Sequence, residues 1–262
     1  MKIIVCIKQV PDTTEVKLDP KTGTLIRDGV PSIINPDDKA GLEAALRLKD
    51  QYGAHVMVIS MGPPQADAAL REALAMGADE AVLVSGREFG GADTWATSST
   101  LAASIKKFDY DLIITGRQAI DGDTAQVGPQ IAEHLHLPNV SYAEEIELVD
   151  DGKALKIKRQ YEDRYHIIKI KLPCLITALS ELNEPRYMTP GGIFDAYRET
   201  KIPVIGFNDL DLKLEEVGLK GSPTRVKKSF TKGIKPAGTK VVLDGQDAAE
   251  YIVQKLQEKF IL

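Results

Sequence analysis

Apolar positions along the chain fall first into short β-branched runs and then into helical spacing, and the two patterns take turns. Lys2–Lys8 (KIIVCIK) is a run of buried-strand length, and His55–Ser60, Glu80–Val84 and Asp111–Thr115 repeat it. Between them Ala66–Met76, closed by Gly77, and Asp93–Lys107 read as helices, as does Ala125–Leu137, which Pro138 stops. Asn35-Pro36-Asp37-Asp38 opens another helix. Asparagine suits the cap, proline the first turn, and the two carboxylates face the positive end of the dipole. Leu42, Ala45, Leu46 and Leu48 give that helix its apolar side, while Asp12–Gly29 predicts a short hairpin around Asp19-Pro20-Lys21-Thr22-Gly23. Strands alternating with helices over roughly the first 140 residues predict a doubly wound, mostly parallel α/β sheet.

After Pro138 the pattern changes. Val140–Val149, Ala154–Tyr161 and Tyr165–Ile170 predict an added antiparallel strand set, and Pro173–Ala178 a further strand returning to the sheet. From Pro185 to about Lys240 periodicity is weak. A run that long without elements is unusual inside a compact domain, so an extended C-terminal arm ordered against a partner chain is expected. Gln246–Lys259 closes the chain as an amphipathic helix. The expected division is a nucleotide-binding α/β domain over 1–184 and a partner-binding loop, arm and helix over 185–262.

Composition narrows the function. Of 262 residues, aromatics make up 6% and the net charge is −5, which leaves neither a stacking platform nor a basic footprint for nucleic acid. Cys6 and Cys174 stand far apart inside apolar runs, with no CxxC partner for zinc, thiol redox or an iron–sulfur cluster. The apolar run Ile3–Ile7 is short for a signal peptide, and no stretch approaches a membrane span, so a cytoplasmic location is the default expectation.

Ligands of doubly wound sheets bind at the carboxyl ends of the strands. Four segments fall there: Gln9–Thr13, Met61–Pro64, Gly90–Thr94 and Gly116–Thr124. The last combines two glycines, two short carboxylates and a helix start, offering backbone N–H groups and a positive helix end to a pyrophosphate. Its acidity is unfavourable for a bare phosphate, so Asp121 and Asp123 could cap the turn, and an ordinary loop with Asx turns stays open as the alternative. No GxGxxG and no GxxxxGK[ST] is present, nor a nucleophile elbow or an acid/base dyad. His134 and His136 are two apart, wrong for metal ligation on a helix.

Gly116-Arg117-Gln118-Ala119-Ile120-Asp121-Gly122-Asp123-Thr124-Ala125-Gln126-Val127-Gly128 closely resembles the signature loop of electron-transfer flavoprotein beta subunits. Lys8–Asp12, Asn35-Pro36, Ala75–Asp79 and Leu182–Tyr187 fit the same family, and the likeness covers nearly the whole chain. The resemblance implies an adenine nucleotide alpha-hydrolase-like fold and a heterodimer with an alpha subunit that carries one FAD. It implies an adenine nucleotide held by Cys6 (through its backbone), Asn35, Asp38, Met61 and the 116–128 loop. That nucleotide is AMP in housekeeping members and a second FAD in electron-bifurcating ones. Asp93, Thr94 and Thr97 resemble the extra phosphate-side contacts of the FAD-binding branch. Thr13, and Met188–Tyr197 after Tyr187, also depart from the mitochondrial type toward the bifurcating group. For that group the resemblance implies NADH as donor, ferredoxin or flavodoxin as low-potential acceptor, and an acyl-CoA-dehydrogenase-like flavoenzyme as the other partner. The alternatives are the housekeeping carrier with structural AMP and, from another class, a universal-stress-protein-like ATP-binding module.

Overall fold

The computed structural model describes residues 1–12, 31–227 and 238–262. The expected hairpin over Asp12–Gly29, and Thr13 with it, lies almost wholly outside them. The chain separates into two units, Met1–Val226 and Lys227–Leu262.

The first unit is built on strands β1 (Lys2–Cys6), β4 (His55–Met61), β5 (Glu80–Val84), β6 (Leu112–Gly116), β7 (Asn139–Val149), β8 (Ala154–Tyr161), β9 (Arg164–Lys171), β10 (Cys174–Ala178) and β11 (Val204–Ile205). Among the described residues they form one nine-stranded sheet in the order β11-β5-β4-β1-β6-β10-β7-β8-β9. A separate antiparallel pair joins β2 (Gln9–Pro11) to β3 (Ser32–Ile34). Every pairing from β11 through β10 to β7 is parallel, and β7-β8-β9 run antiparallel. The central strands are continuous Val/Ile/Leu runs because helices cover both faces. Ile3, Val5, Val58 and Ile114 pack on one side with Leu42 and Leu46 of α1 (Pro36–Tyr52) and Leu70 of α2 (Asp67–Met76). Ile4, Ile59 and Ile113 pack on the other with Leu101 and Ile105 of α3 (Thr94–Ile105) and Ile131 of α4 (Val127–His134). Each such fully buried side chain contributes roughly 1.5–3 kcal/mol relative to leaving it in water.

Among the described residues the predicted elements are present, with two informative differences. β10 does return to the sheet, but it inserts between β6 and β7, so the antiparallel strands hang from the parallel sheet through it. The stretch expected to leave the domain as an arm at residue 185 instead runs back along it as far as Val226. Arg186 sends its N–H and guanidinium to the buried carboxylate of Glu43 on α1, at 2.9–3.2 Å, and reaches Asp50 at 2.7 Å. Thr189 donates its N–H to the Ala75 carbonyl and caps α5 (Pro190–Phe194). Arg71 of α2 holds the carbonyls of Ala196 and Thr200. β11 then adds two residues to the sheet edge beside β5. These contacts are polar and long-range, and so leave no periodic trace in the sequence. They hold a segment whose Tyr187, Phe194 and Tyr197 remain exposed.

The second unit holds α6 (Gly245–Glu258), capped by Asp244, with no buried residue along it. Among the described residues no helix is long and apolar enough to cross a membrane.

Candidate functional site

From β1 the chain works outward through β4 to β5, then returns to the other side of β1 as β6. Strand order therefore reverses between β1 and β6, and a ligand crevice opens at the carboxyl ends of strands at such a point. Lys8 leaves β1 there, the 116–128 loop leaves β6 there, and the first turn of α1 reaches both.

Asn35 is fully buried, and its side chain does not cap α1 as expected. Its Nδ2 donates to the Gln118 carbonyl at 2.8 Å and its Oδ1 accepts from Ile120 N at 3.0 Å. A cap would use only the oxygen; the loop satisfies donor and acceptor together, which matters for a buried amide. Asp38 accepts from Lys8 N at 2.7 Å with one oxygen and from Gly116 N at 2.9 Å with the other. Two side chains at one helix start thus tie together the exits of β1 and β6.

The electrostatics follow from burial. Burial pushes the Asp38 carboxyl up to about 7, against the pull of its Lys8, Asn35 and Gly116 hydrogen bonds. Burial also raises Asp37, while Arg117 pulls it down. Arg117 Nε lies 3.3 Å from Asp37 Oδ2, yet both atoms are buried without an aligned hydrogen bond. Burial, reinforced by Asp38, pushes the Cys6 thiol up to about 12. A neutral thiol is neither nucleophile nor metal ligand, so Cys6 serves here through its position on β1.

The loop itself is tied off by its acids. Lys8 Nζ meets Asp121 Oδ1 at 2.6 Å, Gln118 Nε2 donates to Asp123 Oδ1 at 3.0 Å, and the N–H groups of Gly122 and Asp123 both reach the Ala119 carbonyl. Asp123 and Ala125 sit at φ of 50° and 52°, left-handed for residues with a Cβ. Such a conformation costs on the order of 1 kcal/mol each and persists where the surroundings over-determine it. Ala125 therefore lies in the loop, and α4 starts two residues later than the apolar pattern suggested.

Two glycines allow the close approach. A Cβ at Gly128 would lie 2.5 Å from Thr115 Oγ1 and 2.8 Å from Thr177 Cγ2, so only glycine lets α4 begin against the tips of β6 and β10. A Cβ at Gly116 would run into the Asp38 carboxylate. The α4 start has no side-chain cap and no acidic residue in its first turn. Its N–H groups are left for an anion, which fits the phosphate of a nucleotide.

The remaining candidates are placed differently. Met61 ends β4 beside β1, half-buried. Asp93 caps α3 through Ala96 N and accepts from Thr224 N and Oγ1 at 2.9 and 2.7 Å. Partial burial raises its carboxyl, but these hydrogen bonds outweigh that and hold it below the usual carboxylate range. Thr94 donates its hydroxyl to Gln126 Oε1 at 2.9 Å, bringing the α3 start beside the loop, and Thr97 N donates to the Asp93 carbonyl. Sequence reasoning missed Lys8 and Asp37 as members of the cluster. Lys8 meets a partner 113 positions away, and nothing local announces it. A cavity of about 640 Å³ lies elsewhere, along the outer side of α3 between Trp95, Lys106, His134 and Asp209–Glu216.

Comparison with known proteins agrees with this geometry. The electron transfer flavoprotein domain matches residues 22–204. The chain is 60% identical over 259 residues to the electron transfer flavoprotein subunit beta of Clostridium acetobutylicum, covering 99% of both chains. It is 57% identical over 265 residues to the caffeyl-CoA reductase-Etf complex subunit CarD of Acetobacterium woodii, covering both chains completely. To the acryloyl-CoA reductase electron transfer subunit gamma of Anaerotignum propionicum it is 47% identical over 273 residues, again over the full length of each. With a doubly wound sheet, a signature loop at its reversal point and relatives that match end to end, this chain belongs to the electron transfer flavoprotein family, as a beta subunit, and not to the stress-protein-like class.

Proposed function

We propose that this chain pairs with an alpha subunit and works in flavin-based electron bifurcation, holding FAD in the crevice between β1 and β6. NADH is the donor, ferredoxin or flavodoxin the low-potential acceptor, and an acyl-CoA-dehydrogenase-like flavoenzyme the second partner. The observation that carries the reading is the convergence of the β1 exit, the α1 start and the 116–128 loop on an uncapped helix start at the sheet's reversal point. Support for the branch comes from relatives named as subunits of a caffeyl-CoA reductase-Etf complex and of an acryloyl-CoA reductase.

When bound, the flavin supplies the redox chemistry; the chain supplies binding, orientation and field. The backbone of Gln118–Gly128 and the α4 start would hold the phosphates, and the Cys6 and Met61 strand ends would flank the adenosine. Arg117, half-exposed at the loop's root with Asp37 as a poorly aligned partner, is placed to offset negative charge on a neighbouring group. The segment after Arg186, with Tyr187 94% and Phe194 57% exposed, is the surface offered to the dehydrogenase.

One observation favours the housekeeping reading, with AMP in the same crevice. Asp93 is occupied by Ala96 and Thr224, and Thr94 by Gln126, so the extra contacts expected for a longer ligand are engaged elsewhere. Counting flavins in the purified heterodimer decides between the two. Two FAD per heterodimer with NADH-dependent bleaching supports bifurcation; one FAD and one AMP, with no response to NADH, overturns it.

A further inference from the structure

The resemblance made Asn35 and Asp38 nucleotide contacts. We infer instead that they are positioning residues, a staple at the start of α1 that acts on the nucleotide only through the backbone it holds. This deepens the reading of the crevice as a nucleotide site and rests on it.

Both side chains have their hydrogen-bonding capacity committed to backbone. Asn35 is fully buried, and its oxygen and nitrogen are directed at Ile120 N and the Gln118 carbonyl, three and one residues beyond Arg117 at the root of the loop. Both Asp38 oxygens are directed at backbone N–H groups, one on each side of the crevice. The α1 backbone adds a third tie, Asn35 N to the Lys8 carbonyl at 2.9 Å. The staple therefore fixes two things a nucleotide must meet simultaneously: the β1 exit, and the height of the 116–128 loop above β6. Neither side chain can turn toward a ligand without releasing the backbone it holds, the part-buried groups of Gln118, Ile120 and Lys8 and the buried N–H of Gly116, which opposes such a turn. The left-handed residues Asp123 and Ala125 lie downstream in the same loop, and a loop carrying that strain needs an anchor near its root. Binding sites depend on such supporting contacts, since a misplacement of about 1 Å can cost on the order of a hundredfold.

The test uses the heterodimer with its alpha subunit, stripped of nucleotide from the beta site, with AMP and adenosine as probes by calorimetry. Amide exchange at Lys8, Gly116 and Ile120 is followed in the nucleotide-free state. Asn35→Ala is expected to weaken AMP about 10- to 100-fold, to change adenosine by no more than about threefold, and to speed exchange at Ile120 before any ligand is added. Asn35→Asp keeps the acceptor for Ile120 N and loses the donor to Gln118. It should recover much of the Ile120 protection and part of the AMP affinity, and it serves if the alanine variant folds poorly. Loss of AMP affinity with Ile120 exchange unchanged would mean a direct contact and overturn the staple. So would equal losses for AMP and adenosine, or AMP binding left intact. If the unaltered heterodimer binds neither AMP nor FAD at a second site, the nucleotide reading itself falls, whatever the exchange data show.

Discussion

Asp38 shows how one buried carboxyl couples the site to pH. Its ordinary value is 3.8 and the folded value about 7, so between these limits the native chain keeps a proton that the unfolded chain has released. The unfolded state then binds fewer protons, and stability falls as pH rises from about 4 to about 7 before levelling off. This group therefore favours the fold at the acid end. At about 1.4 kcal/mol per unit the span is a few kcal/mol. Asp38→Asn removes the titration, at the separate cost of opposing an amide N–H to a backbone N–H. Urea unfolding from pH 4.5 to 8 should show the unaltered protein losing ground to the variant with rising pH; parallel curves would contradict the assignment. Gly128 gives a second test at this scale. Gly128→Ala drives a methyl into Thr115 and Thr177, and overpacking of this kind costs about 1–3 kcal/mol. Because the displaced element is the α4 start, nucleotide affinity should fall with stability, measured by denaturation and AMP titration on the same sample.

At the scale of elements, α1 does more than cover the sheet. Its first turn staples the crevice, and Glu43 near its middle with Asp50 in its last turn anchors the segment after Leu182. The hydrogen bonds from Arg186 and Arg47 hold the Glu43 carboxyl below its ordinary value even though burial pushes the other way. Arg186→Ala leaves that buried carboxylate to Arg47 alone, a loss of up to about 3 kcal/mol. The expected result is a lower melting temperature and faster proteolysis next to Tyr187 in a chain that still folds; unchanged cleavage there would remove the anchor role. The sequence announced α1 itself, through Asn35-Pro36 and the leucines of its inner face, because capping and periodicity are local signals. It could not announce what the helix does. Asn35 answers to backbone 83 and 85 positions away, and Glu43 to an arginine 143 positions away. For the same reason Val204–Ile205 went unread as a strand: two residues carry no period, and the β5 edge recruits them.

The whole molecule repeats that lesson and sets its last test. Alternating patterns made the doubly wound sheet and the loops at its strand ends legible, the 116–128 loop among them; the order of the strands, with β10 between β6 and β7, was not. The extent of the first unit was not legible either, because Pro185–Val226 is held to it by arginine clamps, a backbone tie to α2, a two-residue strand and scattered apolar anchors, Ile202, Ile205, Leu210 and Val217, whose spacing carries no period. The second unit poses the reverse problem. α6 has the spacing of an amphipathic helix, yet no residue along it is buried, and Ile252 is 57% exposed. A lone helix of 14 residues is marginal in water, so its order depends on packing. On the reading that residues 227–262 pack on the alpha subunit, a chain ending at Val226 should keep its nucleotide and melt within a few degrees of the full chain. The same truncation should sharply weaken assembly with the alpha subunit, seen by co-purification and by sedimentation at micromolar concentration. A truncated chain that assembles normally would make the unit a tail of no structural consequence; one that loses its own stability would make it part of the first unit's core. Each outcome is separable from the nucleotide site, since every hydrogen bond described there is made within Met1–Val226.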